Sequence, residues 1–311
     1  MTEAQKGVLS LLAACTVWGL SPLYYDALAE VPPLEVLSHR TLWSLAVFGV
    51  VLALQRRMRD VGELVRGPQA RRLVLGTLMI SANWYLYINA IQTGHAIQAS
   101  MGYYIFPLVA VGLGMLAFGE RLSALQGVAV GLAAAGIGVL TYGLGVMPWL
   151  ALLLALTFGV YGMVKKQMAA GPVVSVTAEV LFLAPLAAGW LAAKHLGILP
   201  GGGHFGQSLQ VSAMLAFSGV ITAVPLMLFS HASRRVSMAT FGLTQYLNPT
   251  LQFLCATLVF AEPFSRWHMA AFALIWGALA VYSLASLRAG PAANPAASAA
   301  ASAGTSGTTV T

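Results

Sequence analysis

Between Gly7 and Leu287 the chain divides into ten runs of mostly apolar residues, separated by short polar connections. A helix of about 20 such residues matches the hydrocarbon thickness of a bilayer. Inside that layer no water can satisfy the backbone, so each run must form a helix that bonds its own amides. The predicted spans are 7–27, 34–54, 72–91, 96–118, 124–142, 147–164, 173–194, 209–230, 239–260 and 267–287. The chain is 59% hydrophobic and 8% charged, against roughly 45–50% and about 25% for soluble proteins. A water-soluble fold is excluded. The first run follows Lys6 but exceeds the usual signal-peptide core of about 7–15 residues and lacks a small-x-small cleavage site, so it reads as an uncleaved span.

The net charge of +7 invites a nucleic-acid partner until the charges are located. With an even number of spans both termini share one side, and the connections there carry thirteen basic residues, from Lys6 through the arginines between 56 and 72 to Arg121, Lys165, Lys166, Arg234, Arg235 and Arg288. The other side carries three, Arg40, Lys194 and Arg266. That asymmetry predicts cytoplasmic termini and accounts for the net charge without nucleic acid. Cys15 and Cys255 both lie inside apolar runs, so no disulfide framework or cysteine metal site is expected. Residues 289–311 are Ala, Ser, Gly, Thr and Pro with one Val and one Asn, a composition that predicts a disordered cytoplasmic tail.

Sliding the chain over itself by 142 positions sets Phe118-Gly-Glu120-Arg-Leu-Ser123 on Phe260-Ala-Glu262-Pro-Phe-Ser265. Tyr104 falls on Tyr246 and Pro107 on Pro249 in the same register. The expected organisation is a five-span unit in residues 1–143 and a second in 144–288. Five is odd, so the second unit would cross the membrane upside down, the arrangement from which many secondary transporters build two gates around one central site. The fold class expected is thus all-α and integral to the membrane, with ten helices in two inverted repeats.

Several motifs place amides and rings in apolar surroundings: His39-Arg40-Thr-Leu-Trp43-Ser44, Asn83-Trp84-Tyr-Leu-Tyr87-Ile-Asn89, Gly94-His95, Gly102-Tyr103-Tyr104-Ile-Phe-Pro107, Gly119-Glu120-Arg121-Leu-Ser123, Tyr161-Gly162, Glu179 and Gln245-Tyr246-Leu-Asn-Pro249. Together they resemble the RarD branch of the EamA family, in the drug/metabolite transporter superfamily, over nearly all of residues 7–287. Phe106 departs from the pattern, standing where an Asn precedes the Pro; Asn248 keeps it in the second unit. The resemblance implies a bacterial inner-membrane permease of ten helices around a central cavity.

Charged groups within a bilayer are functional candidates by default. Pro33 and Pro172 suit the first turns of two helices, which sets Arg40 and Glu179 each seven residues further on, about 10 Å deep from opposite faces. Across an apolar layer of about 30 Å, the remaining gap of roughly 10 Å could be bridged by their side chains or by a substrate. Snorkelling is the plainer role for Arg40 and a bond to a neighbouring helix the plainer one for Glu179. Tyr and Trp can also serve as interfacial belts, and amides as links between helices. The candidate substrate-binding set is Arg40, Glu179, Trp18, Asn83, Trp84, Tyr104 and Tyr246, with no catalytic residue, metal or cofactor expected. The partners expected are a small-molecule substrate and the lipid bilayer. Gly127-x-x-x-Gly131 reads as a packing face, and such small-residue faces leave room for a homodimer.

No Gly-x-x-x-x-Gly-Lys-Ser/Thr run is present, so this chain is not expected to use ATP itself. Asp26 and Asp60 are its only aspartates, too few for clustered-carboxylate Mg²⁺ chemistry. A secondary transporter for a small metabolite or drug-like amphipath is the leading expectation. A metal-free membrane enzyme acting on a lipid substrate, or a channel, is the alternative. Glu179 is the one evident candidate for proton coupling.

Overall fold

The computed structural model describes residues 2–118, 123–233, 235–236 and 238–289. Every regular element among them is helical. The predicted tail from Gly290 onward and Glu120, Arg121 and Leu122 lie outside the described residues.

Helix α1 (Glu3–Gly19) opens at a capping box, in which Thr2 and Gln5 bond each other's backbone N–H. Helix α2 (Ser21–Asp26) continues the first span after a break at Leu20, with Pro22 in its first turn. Helix α3 (Pro33–Leu54) begins at the proline expected there, and a short amphipathic α4 (Met58–Arg66) follows in what the sequence suggested was a loop. Its Val61 and Leu64 pack with Leu52, Leu73, Val174 and Ala178, which explains why this charged segment is helical.

Next come α5 (Ala70–Gln92), α6 (Ala96–Phe118), α7 (Ala124–Leu144), α8 (Trp149–Lys166), α9 (Pro172–His195) and α10 (Leu209–Ser233). Ser123 and Gln126 form a capping box that opens α7. The stretch expected as the ninth span is segmented into α11 (Met238–Gln245), α12 (Leu247–Leu254) and a π-helical turn, Cys255–Val259. Pro249 lies in the first turn of α12, where its missing N–H does not continue the ladder from α11. Helix α13 (Arg266–Ala289) closes the bundle. Nine helices among the described residues are long and apolar enough to cross a membrane, α1 and α2 counting as one.

Helix α5 packs on α8 and α9, while α10 packs on α1 and α3. Helix α6 lies along α8, and α12 lies along α1. Three further pairs, α3 with α9, α6 with α12 and α7 with α13, complete the main contacts. Leu54, Leu78, Leu116, Leu186 and Leu258 are exposed on the outside, as suits a surface solvated by lipid. Helices α3 and α10 meet closely, since any Cβ on Gly219 would run into the backbone of Trp43. Gly127 and Gly131, expected as a packing face, have nothing from elsewhere among the described residues within 4 Å of the positions their missing Cβ atoms would take.

Candidate functional site

Arg40 lies on the third turn of α3 with 7% of its surface exposed. Its Nε donates to Thr222 Oγ1 at 2.9 Å, and its Nη1 donates to the Tyr25 hydroxyl at 2.9 Å. The guanidinium carbon stands 4.0 Å from the centre of the Trp84 ring, close enough for a desolvated cation–π contact. Thr222 is near the middle of the 25-residue α10, so the side chain reaches inward and does not snorkel toward the end of α3. All three partners are neutral. Glu35, five residues earlier on α3, accepts the His204 backbone N–H at 2.6 Å and pairs with His204 Nδ1 at 2.9 Å. The next residue of that loop, Phe205, stacks on His39.

Glu179 is fully buried on α9, and its carboxylate is taken by residues other than Arg40, so the two side chains do not bridge the gap between them directly. Its Oε1 accepts Lys165 Nζ at 2.6 Å and its Oε2 accepts the Tyr161 hydroxyl at 3.1 Å. Lys165 Nζ also donates to Ser175 Oγ and lies 5.2 Å from the centre of the Tyr161 ring. The reason is helical spacing: Tyr161 and Lys165 are four apart on α8, as are Ser175 and Glu179 on α9, so each pair presents one face. Lys165, placed in a connection by the sequence reading, closes the last turn of α8 with 8% exposure. The positive-inside count loses one member and keeps its direction.

Aromatic edges join the two clusters. Tyr25 meets Tyr87 at 5.9 Å, Tyr87 meets Tyr103 at 5.7 Å, Tyr103 meets Phe158 at 5.7 Å and Phe158 meets Tyr161 at 6.1 Å. Asn83 holds the middle of this string, accepting the Tyr103 hydroxyl at 3.0 Å and donating to Leu154 O and Thr157 Oγ1, both at 3.0 Å. Ser21 Oγ and the Tyr87 hydroxyl, 3.0 Å apart, share another bond. The first three pairs meet edge to face and the last is tilted; with their bonded hydroxyls these rings make a wall that combines apolar faces with polar tips.

Comparison with known proteins now bears on this geometry. Residues 5–142 match the model of the EamA-like transporter family. An uncharacterised transporter of Vibrio cholerae is 40% identical, covering 94% of this chain and 96% of its own. Protein RarD of Streptomyces exfoliatus is 41% identical over 92% and 90% of the two chains, and Protein RarD of Escherichia coli 36% identical over 90% and 94%. The chain belongs to the RarD branch of the EamA family. A crystal structure 20% identical in sequence superposes on 92% of this EamA chain and 98% of its own with a TM-score of 0.61, a likeness of fold.

Within this EamA-family protein the candidate residues disperse. Arg40 and Trp84 touch, and Asn83 reaches them through the aromatic string. Trp18 instead faces Phe229 at 5.5 Å. Tyr104 shares a hydrogen bond with Thr250 at 2.7 Å and meets Phe272 and Trp276 edge-on. Tyr246 is half-buried where α11 meets α12. Sequence reasoning missed Lys165, Ser175 and Thr222. For Lys165 and Ser175 the signal was available, because each stands four residues from another polar residue on its own helix. Thr222 carries the same mark, with Ser218 four residues before it on α10, but the Thr222 hydroxyl donates to the Ser218 carbonyl of its own helix, the ordinary role of a Thr in an apolar run, and that spacing does not point to Arg40.

Proposed function

We propose that this EamA-family membrane protein is a secondary transporter that moves a small, amphipathic or partly planar metabolite across the bacterial inner membrane by alternating access. The observation that carries the reading is Arg40: a buried cation held jointly by Tyr25 of the first half and Thr222 of the second. A group gripped from both halves changes surroundings when the halves move against each other.

Packing supports two inverted five-helix units in residues 1–143 and 144–288. If α1, α3, α5, α6 and α7 are exchanged for α8, α9, α10, α12 and α13, the main helix contacts map onto one another. The α5–α8 contact becomes α10–α1, α6–α8 becomes α12–α1, and α3–α9, α6–α12 and α7–α13 return to themselves. The basic asymmetry supports cytoplasmic termini. In this reading Arg40, Trp84 and Asn83 line the route, and the Glu179–Lys165 pair stands at its cytoplasmic end.

Counterflow in proteoliposomes tests the proposal. Vesicles loaded with a pooled metabolite extract should accumulate a labelled member of that pool against its gradient, saturably, and Arg40→Ala should abolish the accumulation. Flux that neither saturates nor responds to the internal pool would identify a channel and overturn the alternating-access reading.

A further inference from the structure

Arg40 carries a charge that the described protein does not answer. Of its five N–H groups the structure pairs two, both with hydroxyls. No described Asp or Glu forms an ion pair with it, and the carboxylate on its own helix, Glu35, is engaged by His204. The other buried cations are treated differently. Lys165 has Glu179 at 2.6 Å. Lys194 sits at the end of α9, where the Pro200 carbonyl takes its ammonium at 2.6 Å and the helix C-terminus favours positive charge.

A cation inside a membrane protein is expensive unless an anion compensates it. A guanidinium offers paired donors that match a carboxylate or phosphate in two parallel bonds. Here Thr222, Tyr25 and Trp84 fix the plane of the group and leave the remaining donors free, an arrangement that pre-sets the fork for a ligand. Trp84 against the guanidinium and Tyr103 further along the aromatic string are both only half-buried, which leaves part of each accessible to an apolar body.

We infer that Arg40 docks the anionic group of the transported molecule, so that the substrate class is a small organic acid, carboxylate or phosphate, with a flat apolar portion lying toward Trp84 and Tyr103. This inference rests on the transport reading, and its test separates the two.

The full-length protein in neutral detergent would be heated with 5 mM indole-3-acetate, indole-3-acetamide, tryptamine or phenyl phosphate. An acid bound at about ten times its Kd should raise the unfolding midpoint by roughly 2–4 °C, while the amide and the amine should not. Arg40→Gln should remove the rise, Arg40→Lys should leave a smaller one because it keeps charge without the fork, and Lys6→Gln, which removes an exposed cation, should leave it intact. A rise of equal size with the amide or amine, a rise that survives Arg40→Gln, or no rise with either acid overturns the inference. So does an Arg40-dependent rise produced by phosphatidylglycerol alone, which would make the anion a lipid headgroup. The same ligands in the counterflow assay complete the separation. Saturable exchange of tryptamine, unchanged in Arg40→Gln, keeps alternating-access transport but removes Arg40 from it, and so overturns this inference; an Arg40-dependent rise with unsaturable leak keeps anion binding and overturns transport.

Discussion

Lys165 and Arg40 are buried alike, with 8% and 7% of their surfaces exposed, yet one is neutralised by the fold and the other is not. Lys165 meets a carboxylate, a hydroxyl and a ring, and that carboxylate is itself completed by Tyr161. Arg40 meets two hydroxyls and a ring. The surroundings are close to equivalent apart from the anion. A closed ion pair holds two helices together and has no need of a ligand. An open cation keeps its unspent interaction for something that arrives.

The largest expected effect comes from breaking the closed cluster. Glu179→Leu leaves Lys165 charged, buried and without its anion, a situation that destabilises by about 3–5 kcal/mol. Adding Lys165→Met should recover most of this, since a well-packed apolar pair is often as stable as the buried ion pair it replaces. Arg40→Leu should behave otherwise. It removes the charge along with its bonds, and the Thr222 hydroxyl keeps its bond to Ser218 O at 2.9 Å, so ligand-free stability should fall by less than about 2 kcal/mol. Chemical unfolding in detergent, followed by tryptophan emission, measures all four proteins. An Arg40→Leu loss as large as that of Glu179→Leu would show that Arg40 is compensated within the fold and would erase the contrast.

A smaller effect sharpens the comparison by asking whether the two clusters are one unit. Asn83→Leu removes the acceptor of the Tyr103 hydroxyl and the donor to Leu154 O and Thr157 in the middle of the aromatic string. Leaving those buried groups unpaired should destabilise by about 1–3 kcal/mol. Combined with Arg40→Leu, the losses should exceed or fall short of their sum by at least about 0.5 kcal/mol if the string couples them. Simple additivity would make the string a passive wall.

The membrane fold was legible because its cause is local: length and apolarity of each run suffice to name a span, and Pro33, Pro172 and the Ser123-x-x-Gln126 box mark three helix starts. Charge was legible by kind but not by partner. Depth arithmetic put Arg40 and Glu179 within reach of each other, because it counted rise along a helix and could not see which way each face turned. Lys165 was read as a connection residue since a lysine at a span end usually is one; only the neighbouring helix shows that Glu179 waits inside. Helix α4 was hidden for a similar reason, its charged face outnumbering Val61 and Leu64. The segmentation of the ninth span around Pro249 was visible in the sequence, yet its apolarity outweighed that single residue.

The smallest effect concerns a third way of answering a charge, by backbone alone. The Glu262 carboxylate accepts the N–H of Ala96 at 2.5 Å and of Ile97 at 2.8 Å, closing the first turn of α6. Those amides have no partner within the helix, and a negative group there also complements the helix dipole, at about 0.3–1 kcal/mol in an exposed setting. Glu262→Gln keeps one acceptor oxygen and loses the charge, so stability should drop by roughly 0.5–1 kcal/mol. Amide exchange at Ala96 and Ile97 should rise several-fold while exchange around Lys165 stays unchanged. The small size follows from position: Glu262 is half-exposed at the end of the bundle, where water answers what the helix does not. A loss of several kcal/mol would mean that the end of α6 is as dry as the interior, and the distinction between charges the fold must neutralise and charges it can leave open would then extend to the rim.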